Sequence, residues 1–268
     1  MSRTGKPARS LTTRYLKADE ASRLYREHPH IKASPSDYCP TCDTTGQYFW
    51  RGEKHDCDCE AQLQLHKHYL SSGIGVTYQR LSWDDYEGDP TLQAQLDKYL
   101  SKHANFINHG IGILLYGEFG TGKTFGVTLL LKDLLKAGYT CYSTTFADMV
   151  EMFTAGWKSV EDQKYFQKKI MYSDVLLLDD LGRELKTRNK LSESTFDNVL
   201  RRRVQDGRPT FITTNMSLVE LSEGYGGAIL SLLKEKSISY EVNGIDFRPT
   251  ANSKLLREVT AGESRPIF

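Results

Sequence analysis

The sequence predicts an α/β fold in three layers, a five-stranded parallel sheet between two layers of helices, preceded by a small cysteine-rich module. The first observation is that apolar runs alternate with helical stretches after residue 88, which is typical of a parallel sheet covered on both faces. The second is that four of the five cysteines fall between residues 39 and 59. With 268 residues the chain is long enough for a full α/β core and a smaller module.

Five short apolar runs are the predicted strands. They span Ile111 to Tyr116, Thr140 to Thr145, Val175 to Leu178, Thr210 to Asn215 and Ser237 to Asn243. Thr124 to Ala137 predicts a helix after the first strand. Its apolar side consists of Val127, Leu130, Leu131, Leu134 and Leu135. Before the first strand, residues 89–110 predict one amphipathic helix, with Asp89 as its N-cap and Pro90 as its first residue.

The segment GEFGTGKT, from Gly117 to Thr124, has the G-x-x-x-x-G-K-[ST] pattern of a phosphate-binding loop. Glycines let such a loop turn its backbone N–H groups around a phosphate. Lys123 then reaches the β- and γ-phosphate oxygens, and the Thr124 hydroxyl binds Mg²⁺. A glycine-rich turn without a ligand is the alternative. We predict an ATP site, and its contacts are Gly117, Gly120, Gly122, Lys123, Thr124 and Phe125.

The strand in DVLLLDDLG ends in two carboxylates, Asp179 and Asp180. In P-loop folds the first carboxylate meets the Mg²⁺ shell, and the next acidic residue orients or deprotonates the attacking water. We assign Asp179 to the metal and Asp180 to the water, and we expect their strand to run beside the strand of the phosphate loop. A strand that merely ends in an acidic turn is the alternative.

A third strand, PTFITTN, ends in Asn215. If this strand lies between the other two, the Asn215 amide can hydrogen-bond the attacking water or the γ-phosphate. An Asn after a strand is otherwise a common turn residue. The order of phosphate loop, acidic strand and polar strand end resembles the AAA+ ATPases, in which the third element is called sensor 1.

The cysteines upstream of this core have metal-ligand spacing. Cys39 and Cys42 form a C-x₂-C pair, and Cys57 and Cys59 form a tighter C-x-C pair. Four thiolates suit tetrahedral Zn²⁺, so we predict a zinc-binding module with these ligands. His55 is a substitute ligand, and reduced thiols or a redox pair are the alternatives to zinc.

Composition excludes several classes of protein. Net charge is +1, so the whole chain is not a general polyanion binder. No apolar run approaches transmembrane length, and the N-terminal residues MSRTGKPARS lack the apolar segment of a secretory signal. We therefore expect a cytoplasmic protein with no membrane partner.

The combination of a Cys-x₂-Cys and Cys-x-Cys module with a small ATPase core containing LLLDDLG and TTN resembles the DnaC/DnaI family of replicative helicase loaders. Phage-borne members are most similar, and the transposition ATPase IstB is a close cousin. The resemblance implies docking on a hexameric helicase, assembly of ATPase domains with one another, and contact with single-stranded DNA. The resemblance covers Tyr38 to about Arg248, and with it we divide the chain into a zinc-binding helicase-docking module (38–72), a linker (73–88) and an AAA+ ATPase domain (89–268). Residues 1–37, which the resemblance does not cover, are predicted to be a basic arm because Lys and Arg outnumber Asp and Glu there.

The resemblance also assigns roles to arginines. Arg248, in YEVNGIDFR, has the position of the arginine that senses the γ-phosphate. At the family's arginine-finger position stand Ser231 and Leu232, which leaves slow hydrolysis open. Arg202 and Arg203, at the end of the helix STFDNVLRRRVQDG, are our candidates for an arginine that faces a neighbouring subunit. A structural role at a helix C-terminus and DNA binding are the alternatives for both.

The loop GRELKTRNKLSES after the acidic strand is the predicted DNA contact. Its cations are Arg183, Lys186, Arg188 and Lys190. Phosphate contacts of this kind give salt-dependent affinity without sequence preference. Glu184 and Glu193 dilute the charge, so a solvated loop is the alternative.

Three function classes fit the sequence: an ATP-dependent helicase loader in replication initiation, an IstB-like transposition regulator, and a nucleotide-gated binding module with little hydrolysis. The cysteine-rich module favours the loader because it resembles helicase-docking heads. A metabolic P-loop kinase is disfavoured, since DDLG and TTN resemble the motifs of ring-forming ATPases.

Overall fold

The computed structural model describes residues 47–56, 65–66, 68–182 and 190–261. The strands of this part are β1 (Gln47–Trp50), β2 (Glu53–Asp56), β3 (Gly112–Tyr116), β4 (Cys141–Thr145), β5 (Val175–Leu181), β6 (Thr210–Thr214) and β7 (Ser237–Glu241). Its α-helices are α1 (Val76–Gln79), α2 (Pro90–Ser101), α3 (His103–Asn108), α4 (Lys123–Lys136), α5 (Phe146–Ala155), α6 (Val160–Phe166), α7 (Lys190–Gln205), α8 (Leu218–Tyr225), α9 (Gly227–Lys236) and α10 (Arg248–Ala261). A π-helical turn, Gln167–Met171, follows α6. None of the helices described here is long and apolar enough to cross a membrane.

The five predicted strands form one parallel sheet, in the order β4-β5-β6-β3-β7. The prediction of a five-stranded parallel sheet is therefore confirmed. The expectation that the acidic strand runs beside the phosphate-loop strand is wrong, because β6 pairs with both β3 and β5 and separates them. Asn215 therefore follows a strand that lies between the phosphate-loop strand and the acidic strand, which is the arrangement that its predicted role requires.

The sheet separates two hydrophobic clusters, and alternate residues of each strand face opposite sides. Ile113 and Leu115 pack with α2, α3 and α4, while Leu114 packs with α5, α7, α8 and α9. On β5, Leu177 and Leu178 divide between the same two clusters. A strand buried on both faces needs a near-continuous apolar run, which explains GILLY and VLLL. The result is the predicted three-layer arrangement.

The single helix predicted for residues 89–110 is wrong, because the structure has two helices that meet at Lys102. In a continuous helix Tyr99 and Phe106 would be about 10 Å apart along the axis. The break instead stacks their rings at 4.8 Å, and Tyr99 also meets Phe211 edge-on at 5.3 Å. The start of the helix is as predicted, since the Thr91 N–H donates to the Asp89 carboxylate at 2.7 Å and Pro90 is the first residue.

The segment predicted as a linker packs on the ATPase core. Lys132, in the middle of α4, is 2% exposed. Its ammonium donates to the carbonyl oxygens of Tyr78, Gln79 and Leu81 at 3.1, 3.1 and 2.6 Å. A buried ammonium needs such acceptors to offset lost hydration, so this contact anchors residues 78–81 on α4.

Candidate nucleotide-binding site

The candidate site lies at the carboxyl ends of β3, β6 and β5, which are neighbours in the sheet. The loop 117–122 connects β3 to the N-terminus of α4. Asp179 and Asp180 lie near the end of β5, and Asn215 directly follows β6. Open α/β sheets place ligands at this edge.

The phosphate loop depends on glycines for two reasons. Gly117, Gly120 and Gly122 have φ angles of 125°, 74° and 89°, which L-residues with a Cβ rarely adopt. A Cβ at Gly120 would lie 1.9 Å from a carboxylate oxygen of Asp246, and one at Gly117 would lie 2.4 Å from the carbonyl oxygen of Val242. The chain after β7 therefore packs directly against the loop.

Lys123 is 5% exposed and folds back on the loop. Its ammonium donates to the carbonyl oxygens of Gly117, at 3.0 Å, and of Glu118. Burial lowers the pKa of Lys123, the charge of Arg248 lowers it further, and Asp179, Asp180 and Glu118 oppose this shift. The ammonium is thus held on the phosphate loop, next to the N-terminus of α4, where anions are favoured.

Asp179 accepts hydrogen bonds from two threonines at one carboxylate oxygen. Thr124 donates to Oδ1 at 2.8 Å, and Thr213 donates to the same atom. Burial raises the pKa of Asp179, and these hydrogen bonds oppose that rise. Mg²⁺ is bound through oxygen ligands, and phosphate loops use a threonine hydroxyl together with a carboxylate, so both residues fit the predicted metal role.

Asp180 is held apart from Asp179 by an irregularity in the strand. Its φ is 57°, and the pairing of β5 with β6 shifts register between Leu178 and Leu181. The Asn215 amide donates to Asp180 Oδ1 at 2.9 Å. Bulges of this kind re-aim side chains next to active sites. Asp180 and Asn215 therefore form one polar pair, in a position to orient a water.

Arg248 begins α10, where its backbone N–H donates to the Asp246 carboxylate at 3.0 Å. The Phe247 N–H donates to the carbonyl oxygen of Gly120 at 3.0 Å, which holds this segment on the phosphate loop. Burial raises the pKa of Tyr78, the charge of Asp179 adds to that rise, and the charge of Arg248 opposes it. The role of Arg248 as a γ-phosphate sensor remains a prediction.

Sequence reasoning missed Thr213. Its hydroxyl donates to Asp179 and accepts from the backbone N–H of Asp180 at 3.0 Å, so one side chain links both acidic residues. The signal was present in the TTN run, where only the asparagine was considered. A threonine one strand away from two carboxylates becomes informative only once the order of the strands is known.

The two arginines proposed for a subunit interface differ. Arg202 is exposed and pairs with Asp206 at 3.2 Å, so its role stays a prediction. Arg203 is fully buried, at 0% exposure, and donates to the carbonyl oxygens of Ile170, Ser173 and Pro209 at 2.7, 3.1 and 2.7 Å. A side chain enclosed in this way cannot reach a neighbouring subunit, so the assignment of Arg203 is corrected to a structural role.

Other predicted residues lie outside the described part or on its surface. Cys39, Cys42, Cys57 and Cys59 fall outside the described residues, and so do Arg183, Lys186 and Arg188; for Lys190 only the backbone is described. Among the residues described, no cluster of His, Cys, Asp and Glu has the form of a metal site. Ser231 is exposed and Leu232 half-buried on α9, where the arginine finger was expected.

A comparison with protein families identifies the chain. Residues 76–244 match the model of the IstB-like ATP binding proteins, and this range contains the phosphate loop, both aspartates and Asn215. The chain belongs to this family. IstB-like proteins bind ATP, which agrees with the donor set just described.

Two relatives of this IstB-like protein are helicase loaders. The replicative helicase loader DnaI of Bacillus subtilis (strain 168) is 29% identical over 154 residues, 57% of this chain and 48% of DnaI. The chain thus spans about half the length of that relative. The replicative helicase loader DnaC of Escherichia coli (strain K12) is 21% identical over 177 residues, 64% of this chain and 70% of DnaC.

The crystal structure of the DnaC helicase loader superposes on this IstB-like protein with a TM-score of 0.56 at 21% identity. The superposition covers 63% of this chain and 100% of that one. The protein therefore has the AAA+ P-loop fold.

Proposed function

We propose that this IstB-like protein is an ATP-dependent helicase loader of the cytoplasm. In this proposal its N-terminal zinc module binds a replicative hexameric DNA helicase, and ATP binding and hydrolysis place that helicase on single-stranded DNA when replication begins. The observation that carries the proposal is the gathering of Lys123, Asp179, Asp180 and Asn215 at one sheet edge. Similarity to DnaI and DnaC supports the choice of partner.

Each side chain has a distinct part in the proposed ATPase reaction. ATP supplies a phosphoanhydride bond and a charge that the loop must neutralise. Lys123 exchanges the carbonyl oxygens of Gly117 and Glu118 for phosphate oxygens. Thr124 and Asp179 would hold Mg²⁺, while Asp180, kept in place by the Asn215 amide, would orient the attacking water. Arg248 contributes positive charge from the segment that packs on the loop.

The N-terminal module is proposed to hold one zinc through Cys39, Cys42, Cys57 and Cys59. Metal analysis of the full chain, purified without chelator, should find one zinc per chain, and Cys39→Ser/Cys42→Ser should lose it. Because metal binding supplies folding energy in so small a module, the double variant should also lose structure there. ATP binding should persist, since the core has its own sheet. Protein free of metal with four titratable thiols contradicts the site.

The loader proposal predicts two separable binding activities. Lys123→Ala should still bind the replicative helicase of the same genome in a pull-down, because docking uses the N-terminal module. Single-stranded DNA binding should require ATP, since it needs aligned ATPase domains, and should weaken steeply with salt. Lys186→Ala/Arg188→Ala/Lys190→Ala should lower DNA affinity at least about tenfold and leave helicase binding unchanged. The slope of log affinity against log salt concentration should become shallower by the amount expected for about three lost phosphate contacts.

The matched control is Lys158→Ala/Lys164→Ala/Lys168→Ala, which removes the same charge from another stretch of the chain. This control should leave the salt dependence unchanged. An equal loss in both triple variants means that only net charge matters, and the loop assignment then fails.

The family itself favours a second candidate, because its model is named for IstB proteins. A transposition regulator should coat duplex DNA in the presence of ATP and should not bind a helicase. If the full chain behaves in this way, the loader proposal is replaced. A third candidate, a nucleotide-gated module with little hydrolysis, is favoured by Ser231 and Leu232 at the arginine-finger position, and a turnover measurement with helicase and DNA present separates it from the loader.

A further inference from the structure

Tyr86 carries a buried hydroxyl that nothing described so far explains. The residue lies between the 3₁₀ turn Trp83–Asp85 and α2, and its side chain is 8% exposed. Its hydroxyl oxygen is buried and has no hydrogen-bond partner among the residues that the structure describes. Buried hydroxyls are nearly always paired, so an unpaired one indicates a missing partner.

The hydroxyl lies beside the phosphate loop, in a space that glycines create. A Cβ at Gly122 would lie 3.2 Å from the Tyr86 oxygen, and one at Gly88 would lie 2.4 Å from it. A Cβ at Gly126, in the first turn of α4, would lie 3.2 Å from the ring carbon Cε2. Gly122 is the residue before Lys123, at the helix N-terminus that favours anions. The unpaired group thus adjoins the place where phosphates bind.

Aromatic packing fixes the ring in this position. Tyr86 contacts Phe125 with ring centroids 5.5 Å apart and meets Trp83 edge-on at 5.9 Å. Burial raises the pKa of Tyr86, and the nearby charge of Asp89 adds to the rise, so the hydroxyl stays protonated and available as a donor. A fixed donor without an acceptor in the protein suits an acceptor on a ligand.

We propose that Tyr86 is a further nucleotide-positioning residue, whose hydroxyl donates a hydrogen bond to an oxygen of the nucleotide bound in the phosphate loop. This proposal rests on the proposed function, because it requires ATP in that loop. The bond connects the bound nucleotide to residues 82–88, which directly precede α2 in the chain. The nucleotide then contacts this segment as well as the phosphate loop.

Tyr86→Phe tests the proposal, because it removes the oxygen and keeps the ring. The full chain should keep or raise its melting temperature without nucleotide, since an unpaired buried group is removed. Its dissociation constants for Mg·ATP and for a non-hydrolysable ATP analogue, measured by calorimetry, should rise about five- to tenfold, as expected for one lost hydrogen bond. Affinity and stability thus move independently.

The matched control is Tyr99→Phe. Tyr99 is also buried, but its hydroxyl donates to the carbonyl oxygen of Ile111 at 2.7 Å, at the far end of β3. This variant should show the opposite pattern, with a lower melting temperature and unchanged ATP affinity. Titration with 2′-deoxy-ATP locates the acceptor: an equal loss for both nucleotides in Tyr86→Phe assigns it outside the ribose 2′ position, and a smaller loss for the deoxy form assigns it to the 2′-hydroxyl.

Two outcomes overturn the proposal. One is an unchanged ATP dissociation constant in Tyr86→Phe. The other is a melting temperature that falls as it does in Tyr99→Phe, which would show that the hydroxyl has a partner in the protein. Failure of the wild-type chain to bind ATP is a different result, since it contradicts the proposed function itself.

Discussion

Lys123→Ala is expected to abolish ATP binding. The substitution removes the one ammonium that lies in the phosphate loop of the described structure, where it contacts the carbonyl oxygens of Gly117 and Glu118. Charged hydrogen bonds to phosphate are among the strongest in proteins. Losing them should weaken ATP binding at least about 100-fold, which corresponds to roughly 3 kcal/mol. Calorimetric titration of the full chain with Mg·ATP measures this.

Two variants control for loss of structure and separate binding from chemistry. Lys136→Ala, in the last turn of α4, removes a half-exposed ammonium that pairs with Asp133 at 3.3 Å, and it should leave ATP affinity unchanged. Asp180→Asn should bind ATP within about threefold of wild type and lose turnover by about 100-fold, as expected for a group that acts on the attacking water. Wild-type turnover in Asp180→Asn would reverse the assignment of the two aspartates.

Local patterns in the sequence were enough to predict the strands and most of the site. A run such as VLLL must be buried on both faces, and a polar residue that follows it must lie at the sheet edge, so Asp179 and Asn215 could be found without a structure. Which strands lie next to one another in the sheet could not be predicted, since strand pairing joins residues that are far apart in sequence. Thr213 and the place of β6 between β3 and β5 both depend on that pairing.

The contacts of Arg203 also join residues that are far apart in sequence, so they could not be predicted either. Three consecutive arginines at a helix end normally face water, because arginine is seldom fully buried. Here the carbonyl oxygens that enclose Arg203 come from residues 170 and 173, about 30 positions earlier, and from Pro209. Helical spacing places Arg203 on the buried face, since it follows the buried residues Val199 and Leu200 by four and three positions. What local sequence does not reveal is the set of carbonyl oxygens that makes this burial possible, because most of them come from the π-helical turn before β5 and the residues that directly follow that turn.

Arg203→Met is expected to destabilise the fold by about 3–5 kcal/mol, a cost typical of breaking a buried charged network. Methionine fills part of the volume but leaves the carbonyl oxygens of Ile170, Ser173 and Pro209 without a donor. These carbonyls lie where β5 and β6 begin, so the loss weakens both central strands. Arg203→Lys should cost less than Arg203→Met, because an ammonium keeps the charge and part of the hydrogen bonding but lacks the planar fork. Urea denaturation followed by circular dichroism measures each free energy of unfolding.

The matched control is Arg202→Met, one residue earlier on the same helix. Arg202 is exposed and its ion pair with Asp206 is a surface contact, so this change should alter the free energy of unfolding by no more than about 0.5 kcal/mol. The comparison also decides between the two roles considered for Arg203. An arginine that faces a neighbouring subunit would leave the free energy of unfolding of the monomer unchanged and impair only ATP-dependent assembly. If Arg203→Met is as stable as Arg202→Met and loses assembly, the structural role argued here is wrong.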